Sequence, residues 1–554
     1  MRTWSTLATL VLASVLAVRA SPQDDSAKLA ASSVPGSEAC ASCHAEIYNS
    51  YKKTVMARAS GLASEGLITG EFRHKPSGVT YSVYEQDGRI WMSYDREKET
   101  GFRGRRELLY FLGSGVKGRS YLFSTQGFLF ETPINWYAQE NRWNMTPAYT
   151  EARESPMNLP AYVDCLNCHT SGMQTPAPGT DSKFSAQPFL HAGITCERCH
   201  GAGEGHIGGK GPIVNPTKLS AERRDAICME CHFEGTVAIE RPGKHLYQFQ
   251  PGDRLSDYIL YFVLSGKPPH PNEPESEQAL SQVEALSISA CKRRSGDRMS
   301  CMSCHDPHQE PAESEKAAYY RGKCLACHGE AFGGKHHADK PDCRTCHMQA
   351  LPNQAVAHTQ STDHRILRYA NGFALPKVSL APRLTVFPES ETSQATTRDW
   401  ALAWEALAQR QVEGASHEAE QYLRKAAKER PEDASVLSAL GLIEQKQGHT
   451  KEARELYERA LKIDPLANDA AANLAAVEAK AGNLRGAVAL WQGAFARVPH
   501  QSAIGMDLAM AFCAAGQKEE ARQYVLRVLD FNPDFSNAKR LLQHLNGDPA
   551  KCKP

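Results

Sequence analysis

The pattern of hydrophobic and polar positions divides the chain into regions of different predicted structure. Residues 7–18 form a short continuous apolar run, and parts of residues 70–137 alternate apolar with polar residues. Residues 398–546 instead repeat apolar positions at the helical spacing of three to four residues. At 554 residues the chain is too long for one ordinary core. We therefore predict a multi-domain protein with a small β insertion and a separate all-α region.

The alternating region begins with the pattern of a β-hairpin. Apolar residues occupy every second position on both sides of Asp87-Gly88, a favoured two-residue turn: Val79, Tyr81 and Val83 precede it, and Ile90, Met92 and Tyr94 follow it. A second alternating, aromatic-rich stretch runs from Tyr110 to Tyr137. We predict a β-rich insertion over residues 70–137. It could serve as a docking face, but packing on the rest of the N-terminal region is the favoured interpretation.

The helical region carries an internal repeat. Three residue types recur every 34 residues, which is the tetratricopeptide period: Pro431, Pro465, Pro499 and Pro533; Gly414, Gly448, Gly482 and Gly516; and Ala419, Ala453, Ala487 and Ala521. We predict four repeats over 398–533 and a capping helix over 534–546, with Cys513 in the core of the fourth repeat. Such an array is expected to offer a concave surface to a protein partner. A spacer or a dimer contact is the alternative.

Residues 383–397 are rich in Ser and Thr and lie between the two regions. They lead us to predict a linker over residues 367–397 and two parts that fold separately.

The N-terminal sequence indicates where the protein is located, and the charge balance bears on its partners. Arg2, the apolar run and Val18-Arg19-Ala20 together are typical of a signal peptide over residues 1–20, which predicts export to the periplasm or beyond. A membrane anchor is less favoured, because the run is shorter than the ~20 residues that span a bilayer. Lys plus Arg number 63, as do Asp plus Glu, so nothing in the net charge suggests a nucleic-acid partner.

Fourteen of the seventeen cysteines form seven Cys-x-x-Cys-His motifs. In chain order the motifs are Cys40, Cys43 and His44; Cys165, Cys168 and His169; Cys196, Cys199 and His200; Cys228, Cys231 and His232; Cys301, Cys304 and His305; Cys324, Cys327 and His328; and Cys343, Cys346 and His347. This spacing lets two thiols add to the vinyl groups of one haem while the histidine ligates its iron. We predict seven covalently bound haem c groups. Zinc needs no histidine after every second cysteine, and no βαβ context suggests redox disulfides.

Further histidines are concentrated in the same part of the chain, where they can serve as second axial ligands. The ten between the first motif and Arg365 are His74, His191, His206, His245, His270, His308, His336, His337, His358 and His364. His206 follows a glycine-rich turn after the third motif and is the favoured candidate. His308 follows Asp306-Pro307, and His358 and His364 follow the last motif.

Three segments resemble the multihaem cytochrome superfamily that includes the electron acceptors of hydroxylamine oxidation. They are Cys196–His206, Cys301–His308 and His358–Ile366, and the resemblance covers roughly residues 36–366. It implies that His206, His308, His358 and His364 cap neighbouring haems. Where relatives often place a histidine this chain has Met56, which is either a thioether ligand or a packing residue. His74, at the entrance of the β insertion, is a further possible ligand.

The function follows from how many irons have both axial positions filled. Filled positions favour electron transfer between redox partner proteins, which is the favoured interpretation. The alternative is an oxidoreductase of the nitrite or hydroxylamine type with one open haem. A redox-sensing scaffold is a third possibility, although seven haems are many for a sensor. Cys291, Cys513 and Cys552 have no assigned chemistry.

Overall fold

The computed structural model describes residues 35–97, 102–265, 281–329, 340–350, 362–367 and 383–547. The predicted signal peptide, the end of the chain after Gly547 and the candidate ligands His270, His336, His337 and His358 lie outside these residues. No helix within the described ranges is long and apolar enough to cross a bilayer.

The β insertion is one antiparallel sheet of eight strands, larger than the sequence predicts. Its strands are β1 Ser60–Leu62, β2 Gly70–His74, β3 Val79–Gln86, β4 Arg89–Asp95, β5 Arg103–Leu112, β6 Gly118–Thr125, β7 Phe128–Tyr137 and β8 Arg142–Met145. Strands β2 to β8 pair in chain order, and β1 pairs with β5. The predicted hairpin is confirmed, because Asp87 and Gly88 both have the positive φ of its turn.

The fifth cysteine motif begins on the 3-10 turn Cys301–Ser303; the rest of the region outside this sheet is built of short α-helices, six of which overlap a motif. They are Ser37–Ala41, Ala45–Tyr51, Val163–His169, Glu197–His200, Glu204–Ile207, Ala221–His232, Gln282–Ile288, Ala290–Ser295, Lys316–His328 and Arg344–His347. Two small sheets accompany them, β9 Thr170–Met173 with β10 Phe189–Ala192, and β11 Val237–Glu240 with β12 Ile259–Ser265 and β13 Arg383–Phe387. Most of this region therefore consists of short elements without a large core of their own.

The C-terminal region is a regular array of paired helices, as predicted. Its helices are Thr397–Gln409, Ala415–Glu429, Ala434–Gln447, Thr450–Ile463, Asn468–Lys480, Leu484–Arg497, Ser502–Ala514, Lys518–Phe531 and the cap Ser536–Gly547. The recurrent alanines Ala419, Ala453, Ala487 and Ala521 are fully buried, which lets the helices of a pair approach closely. Cys513 is buried in the fourth repeat, as predicted, and is disulfide-bonded.

The predicted linker is wrong over residues 383–397. Strand β13 pairs with β12, and its Leu384 and Val386 are buried against the first helix of the array. The turn Glu389–Gln394 then leads to Thr396, which caps that helix. The Ser and Thr residues of this segment thus make a turn and a helix cap, two structures that favour the same residue types as linkers do.

The prediction that the two parts fold separately is also wrong, because they share hydrophobic cores. At one end Leu384 and Phe262 pack with Trp404 of the first repeat. At the other end Phe531, the last residue of the helix Lys518–Phe531, belongs to the core of the eight-stranded sheet.

Contacts between the array and the N-terminal region follow the period of the repeats. The residue directly after the repeat proline meets the N-terminal region in three successive repeats: Leu466 packs beside Gly179, the His500 carbonyl accepts from Asn158 at 2.9 Å, and Asp534 pairs with Arg96. We call these three residues the docking edge of the array. Because each repeat presents the same position, the array lies along the N-terminal region for most of its length.

Candidate haem-binding sites

Each cysteine motif is built on a helical turn. In four motifs the histidine N–H donates to the carbonyl of the first cysteine, four residues earlier, at 2.9–3.1 Å: the acceptors are Cys40, Cys196, Cys301 and Cys343. The other three motifs end the helices Val163–His169, Ala221–His232 and Lys316–His328. This turn brings the first cysteine and the histidine onto neighbouring positions of one face. None of the fourteen motif cysteines forms a disulfide, so all of them could be joined to haem.

Three motif histidines face a second histidine ring. His44 and His206 have ring centroids 6.4 Å apart with planes inclined by 21°. His200 and His308 are 5.9 Å apart at 12°, and His305 and His364 are 6.3 Å apart at 27°. Since a metal ion sits about 2 Å from each imidazole nitrogen, two rings on opposite sides of one ion have centroids roughly 6 Å apart. The three pairs therefore fit two axial ligands on one iron.

The three ring pairs follow one rule of connection. His206, which faces His44 of the first motif, follows the third motif. His308, which faces His200 of the third motif, follows the fifth. His364, which faces His305 of the fifth motif, comes after the seventh. Each pair thus ties together two motifs that are not neighbours in sequence.

Backbone carbonyls orient four of the histidine rings. The Nδ1 atoms of His200, His364 and His347 donate to the carbonyls of Val214, Thr362 and Leu367 at 2.8, 2.8 and 2.5 Å. Nδ1 of His169 makes the same bond to Ala59 at 3.3 Å. Because Nδ1 holds the proton, the lone pair of the neutral ring is on Nε2. Hydrogen bonds of this kind fix the tautomer and the orientation of metal-ligating histidines.

Burial keeps the ligand rings neutral. It lowers the pKa of His232, His305, His308 and His364, in each case as the largest cause, and neighbouring histidines add to the effect for the first three. A ligating imidazole must be unprotonated on the metal side, so these environments favour the state that binds iron.

Cysteine contacts connect the motifs into one cluster. Four thiol pairs from different motifs are hydrogen-bonded neighbours: Cys40 with Cys196, Cys168 with Cys231, Cys228 with Cys301, and Cys324 with Cys343. Cys199 also lies near Cys231, and Cys304 lies near Cys327. Burial and the adjacent thiol raise the pKa of Cys40 to about 12, and burial with Cys343 does the same for Cys324. All seven motifs are thereby adjacent to at least one other.

A buried ion pair joins three motifs through the residues between their cysteines. Arg198 of the third motif contacts Glu230 of the fourth at 3.0 Å, and their side chains are 15% and 2% exposed. Arg198 also donates to the backbone carbonyl of Asn167, in the second motif, at 3.1 Å. Sequence reasoning missed this pair, because the intervening residues of such motifs carry no recognisable pattern.

The structure does not bring His74 together with a motif. Its ring lies against Phe72 at the edge of the eight-stranded sheet, with Nδ1 2.8 Å from the Ser77 hydroxyl and Nε2 2.9 Å from the Thr150 carbonyl oxygen. Both nitrogens are therefore used within the protein. Met56 does not lie on the helix that follows His44, since that helix ends at Tyr51 and Met56 lies in the turns that follow.

Comparisons with known proteins agree with these motifs. A sequence model of the family "cytochrome c554 and c-prime" matches residues 136–201, which include the second and third motifs. The multiheme cytochrome MtrA of Shewanella baltica (strain OS185) is 25% identical over 219 residues, which cover 36% of this chain. The chain spans 64% of the length of that curated relative. Two tetratricopeptide repeat models match residues 434–467 and 478–545.

The chain joins a region related to multihaem c-type cytochromes to a tetratricopeptide array. Both parts of the predicted resemblance are confirmed. The descriptions of the family and of the relative imply covalently bound haem c in the region that they match.

Solved structures similar to the chain include MamA from Desulfovibrio magneticus RS-1, at 22% identity, covering 27% of this chain and 86% of that one with a TM-score of 0.24. A tetratricopeptide repeat protein from Parabacteroides merdae ATCC 43184 is 18% identical, covering 27% and 60% of the two chains with a TM-score of 0.24.

Proposed function

We propose that the protein is an exported cytochrome with seven haem c groups that carries electrons between redox partner proteins in the periplasm or outside the cell. The three histidine pairs are the observation that carries this proposal. They fit irons whose two axial positions are both filled by the protein, and such irons favour electron transfer over substrate chemistry.

The side chains have distinct roles in this proposal. When bound, haem supplies one-electron redox chemistry. The motif cysteines would attach it, and His44, His200 and His305 would each supply one ligand to the iron. His206, His308 and His364 would supply the second histidine of each pair, held by the short helix Glu204–Ile207, by Asp306 through the His308 backbone, and by Thr362. For the remaining motifs, His358 stays a predicted ligand. We leave His74 and Met56 out of the proposed set.

The adjacency of the motifs supports electron transfer from motif to motif rather than storage of electrons at isolated sites. Thiol contacts link the first motif to the third, the second to the fourth, the fourth to the fifth, and the sixth to the seventh. The contacts of Cys199 with Cys231 and of Cys304 with Cys327 complete the connection. An electron that enters at the first motif therefore has adjacent sites through to the seventh.

The array has two roles in the proposal. Its docking edge and its two ends hold the multihaem region in place, and its outward surface binds a protein partner. Export is supported by the disulfide bond of Cys513, since disulfides persist in oxidising compartments.

The haem count is testable by mass. We expect intact-mass measurement of the denatured, fully matured protein to show seven haems added to the chain, because thioether bonds survive denaturation. Replacing Cys324 and Cys327 with alanine should lower the count to six. A fully matured wild-type chain with six or fewer haems would contradict the proposal.

The ligand role of His206 is testable by spectroscopy. We expect His206→Ala to convert one haem to a high-spin form that binds one equivalent of carbon monoxide when reduced, because the ring opposite His44 is lost. His417→Ala, which removes a histidine on the surface of the array, should leave the spectrum unchanged. An unchanged spectrum in His206→Ala would contradict the assignment. Carbon monoxide binding by the wild-type protein, with turnover of nitrite or hydroxylamine, would favour the enzyme alternative.

A further inference from the structure

Three arginines are exposed just before the fifth motif. Arg293 and Arg294 belong to the helix Ala290–Ser295, and Arg298 ends the turn Gly296–Arg298. No carboxylate among the described residues forms an ion pair with any of them. The neighbouring Lys292 differs, because Asp225 neutralises it at 3.4 Å. We call Arg293, Arg294 and Arg298 the arginine patch.

The arginine patch lies beside two haem-binding motifs. Arg298 precedes Cys301 by three residues, so its backbone lies within roughly 10 Å of the fifth motif. Cys291, on the same helix as Arg293, lies close to Cys327 of the sixth motif. Cys327 itself is exposed. A partner held by the patch would therefore stand next to the fifth and sixth motifs.

The local charge is positive on balance. Between Arg293 and Arg298 the single acidic residue is Asp297, and it is exposed. Lys323, one helical turn before Cys327, lies over the Tyr319 ring at 5.0 Å and extends the positive charge toward the sixth motif. In a chain whose positive and negative residues are equal in number, such a local excess sets the orientation of a charged partner.

We propose that the arginine patch is the docking surface for a small acidic electron-transfer protein, which exchanges electrons at the fifth and sixth motifs. This inference rests on the proposed electron-transfer function. Arginines without an ion pair suit this docking role because they can form bidentate hydrogen bonds with a partner's carboxylates. Few contacts within the protein are lost when they do so. Charged patches of this kind act mainly on the association rate.

The test compares two triple variants of the full-length holoprotein. One variant reverses the patch: Arg293→Glu, Arg294→Glu and Arg298→Glu. The matched control makes the same change in net charge at exposed positions of the array: Lys462→Glu, Lys480→Glu and Arg485→Glu. Stopped-flow mixing with reduced flavodoxin, an acidic protein, measures the second-order rate of haem reduction at low and high ionic strength. Reduction by the neutral deazariboflavin radical measures electron entry without docking.

The expected result is a rate with flavodoxin at least tenfold lower in the patch variant at low ionic strength, with the difference vanishing at high salt. The control should change less than twofold, and the neutral radical should reduce all three proteins equally. Equal flavodoxin rates in the wild type and the patch variant would overturn the docking surface while leaving the electron-transfer function intact. If the neutral radical fails to reduce all haems of the wild type, the proposed electron-transfer function itself is contradicted.

Discussion

Replacing Arg198 with methionine should lower the free energy of unfolding by about 3–5 kcal/mol at neutral pH. The reason is that Glu230, whose side chain is 2% exposed, would lose its cationic partner in the interior and would either be left as an uncompensated charge or have to take up a proton. The variant would also lose the hydrogen bond from Arg198 to Asn167, and with it a tie among three motifs. Urea unfolding followed by far-ultraviolet circular dichroism measures the loss.

The pH dependence of this variant has a definite sign. Burial raises the pKa of Glu230 well above its ordinary value, and Arg198 opposes that rise. Without Arg198, the Glu230 carboxyl of the folded state binds its proton even more tightly, whereas in the unfolded state its pKa is about 4.3. The free energy of unfolding must then fall as the pH rises above about 4.3, and it stops falling once the pH passes the pKa of Glu230 in the folded state. We therefore expect a smaller loss at pH 5 than at pH 8.

The seventh motif offers a matched control for Arg198. Arg344 also lies between two motif cysteines, but it pairs with Asp342 two residues away, and the two side chains are 27% and 20% exposed. Arg344→Met should cost no more than about 1 kcal/mol, because solvent screens the pair. Equal losses in Arg198→Met and Arg344→Met would show that burial of the Arg198 pair is not what stabilises the motifs.

Truncating Phe531 to alanine should loosen the eight-stranded sheet, although this residue belongs to the array. Its ring is 1% exposed and meets Phe128 and Phe130 edge to face, each with centroids 5.8 Å apart. Removing a buried phenylalanine ring costs about 3–5 kcal/mol. We expect amides of strand β7, Phe128–Tyr137, to exchange with solvent about a hundredfold faster, which corresponds to roughly 3 kcal/mol. Hydrogen exchange with mass spectrometry checks this.

Phe495→Ala is the control for this experiment. Phe495 is as deeply buried as Phe531, but it packs only among helices of the array. Its truncation should accelerate exchange in the third and fourth repeats and leave β7 nearly unchanged. If β7 keeps its wild-type rate in Phe531→Ala, the sheet and the array do not share a core.

Sequence reasoning succeeded where the pattern is local. The turn at Asp87-Gly88 needs only its own backbone conformation, and the seven motifs need one helical turn each. The repeats are equally local, because each helix pair packs on its neighbours in sequence. The predictions of the hairpin and of the repeats therefore held.

Sequence reasoning failed where distant segments meet. Leu384 and Val386 lie in a segment rich in linker residues, and only strand β12, far back in the chain, makes them part of a sheet. Likewise His206 could be recognised as a candidate ligand, but its position opposite His44 depends on how the first and third motifs pack. Phe531 occupies an ordinary helix position that would be exposed in an isolated array. The repeat pattern therefore gives no sign of the sheet that covers this residue.

The connection rule of the ring pairs has a consequence for biogenesis. Synthesis proceeds from the N-terminus, and N-terminal segments begin to fold first. His44 cannot meet its partner ring until the third motif has been made, and His200 must wait for the fifth and His305 for the seventh. The three ring pairs would thus form in three successive steps, in the order in which the motifs are made. Phe531 and Asp534 come last of all, so the array would dock on the N-terminal region only after the three ring pairs can form.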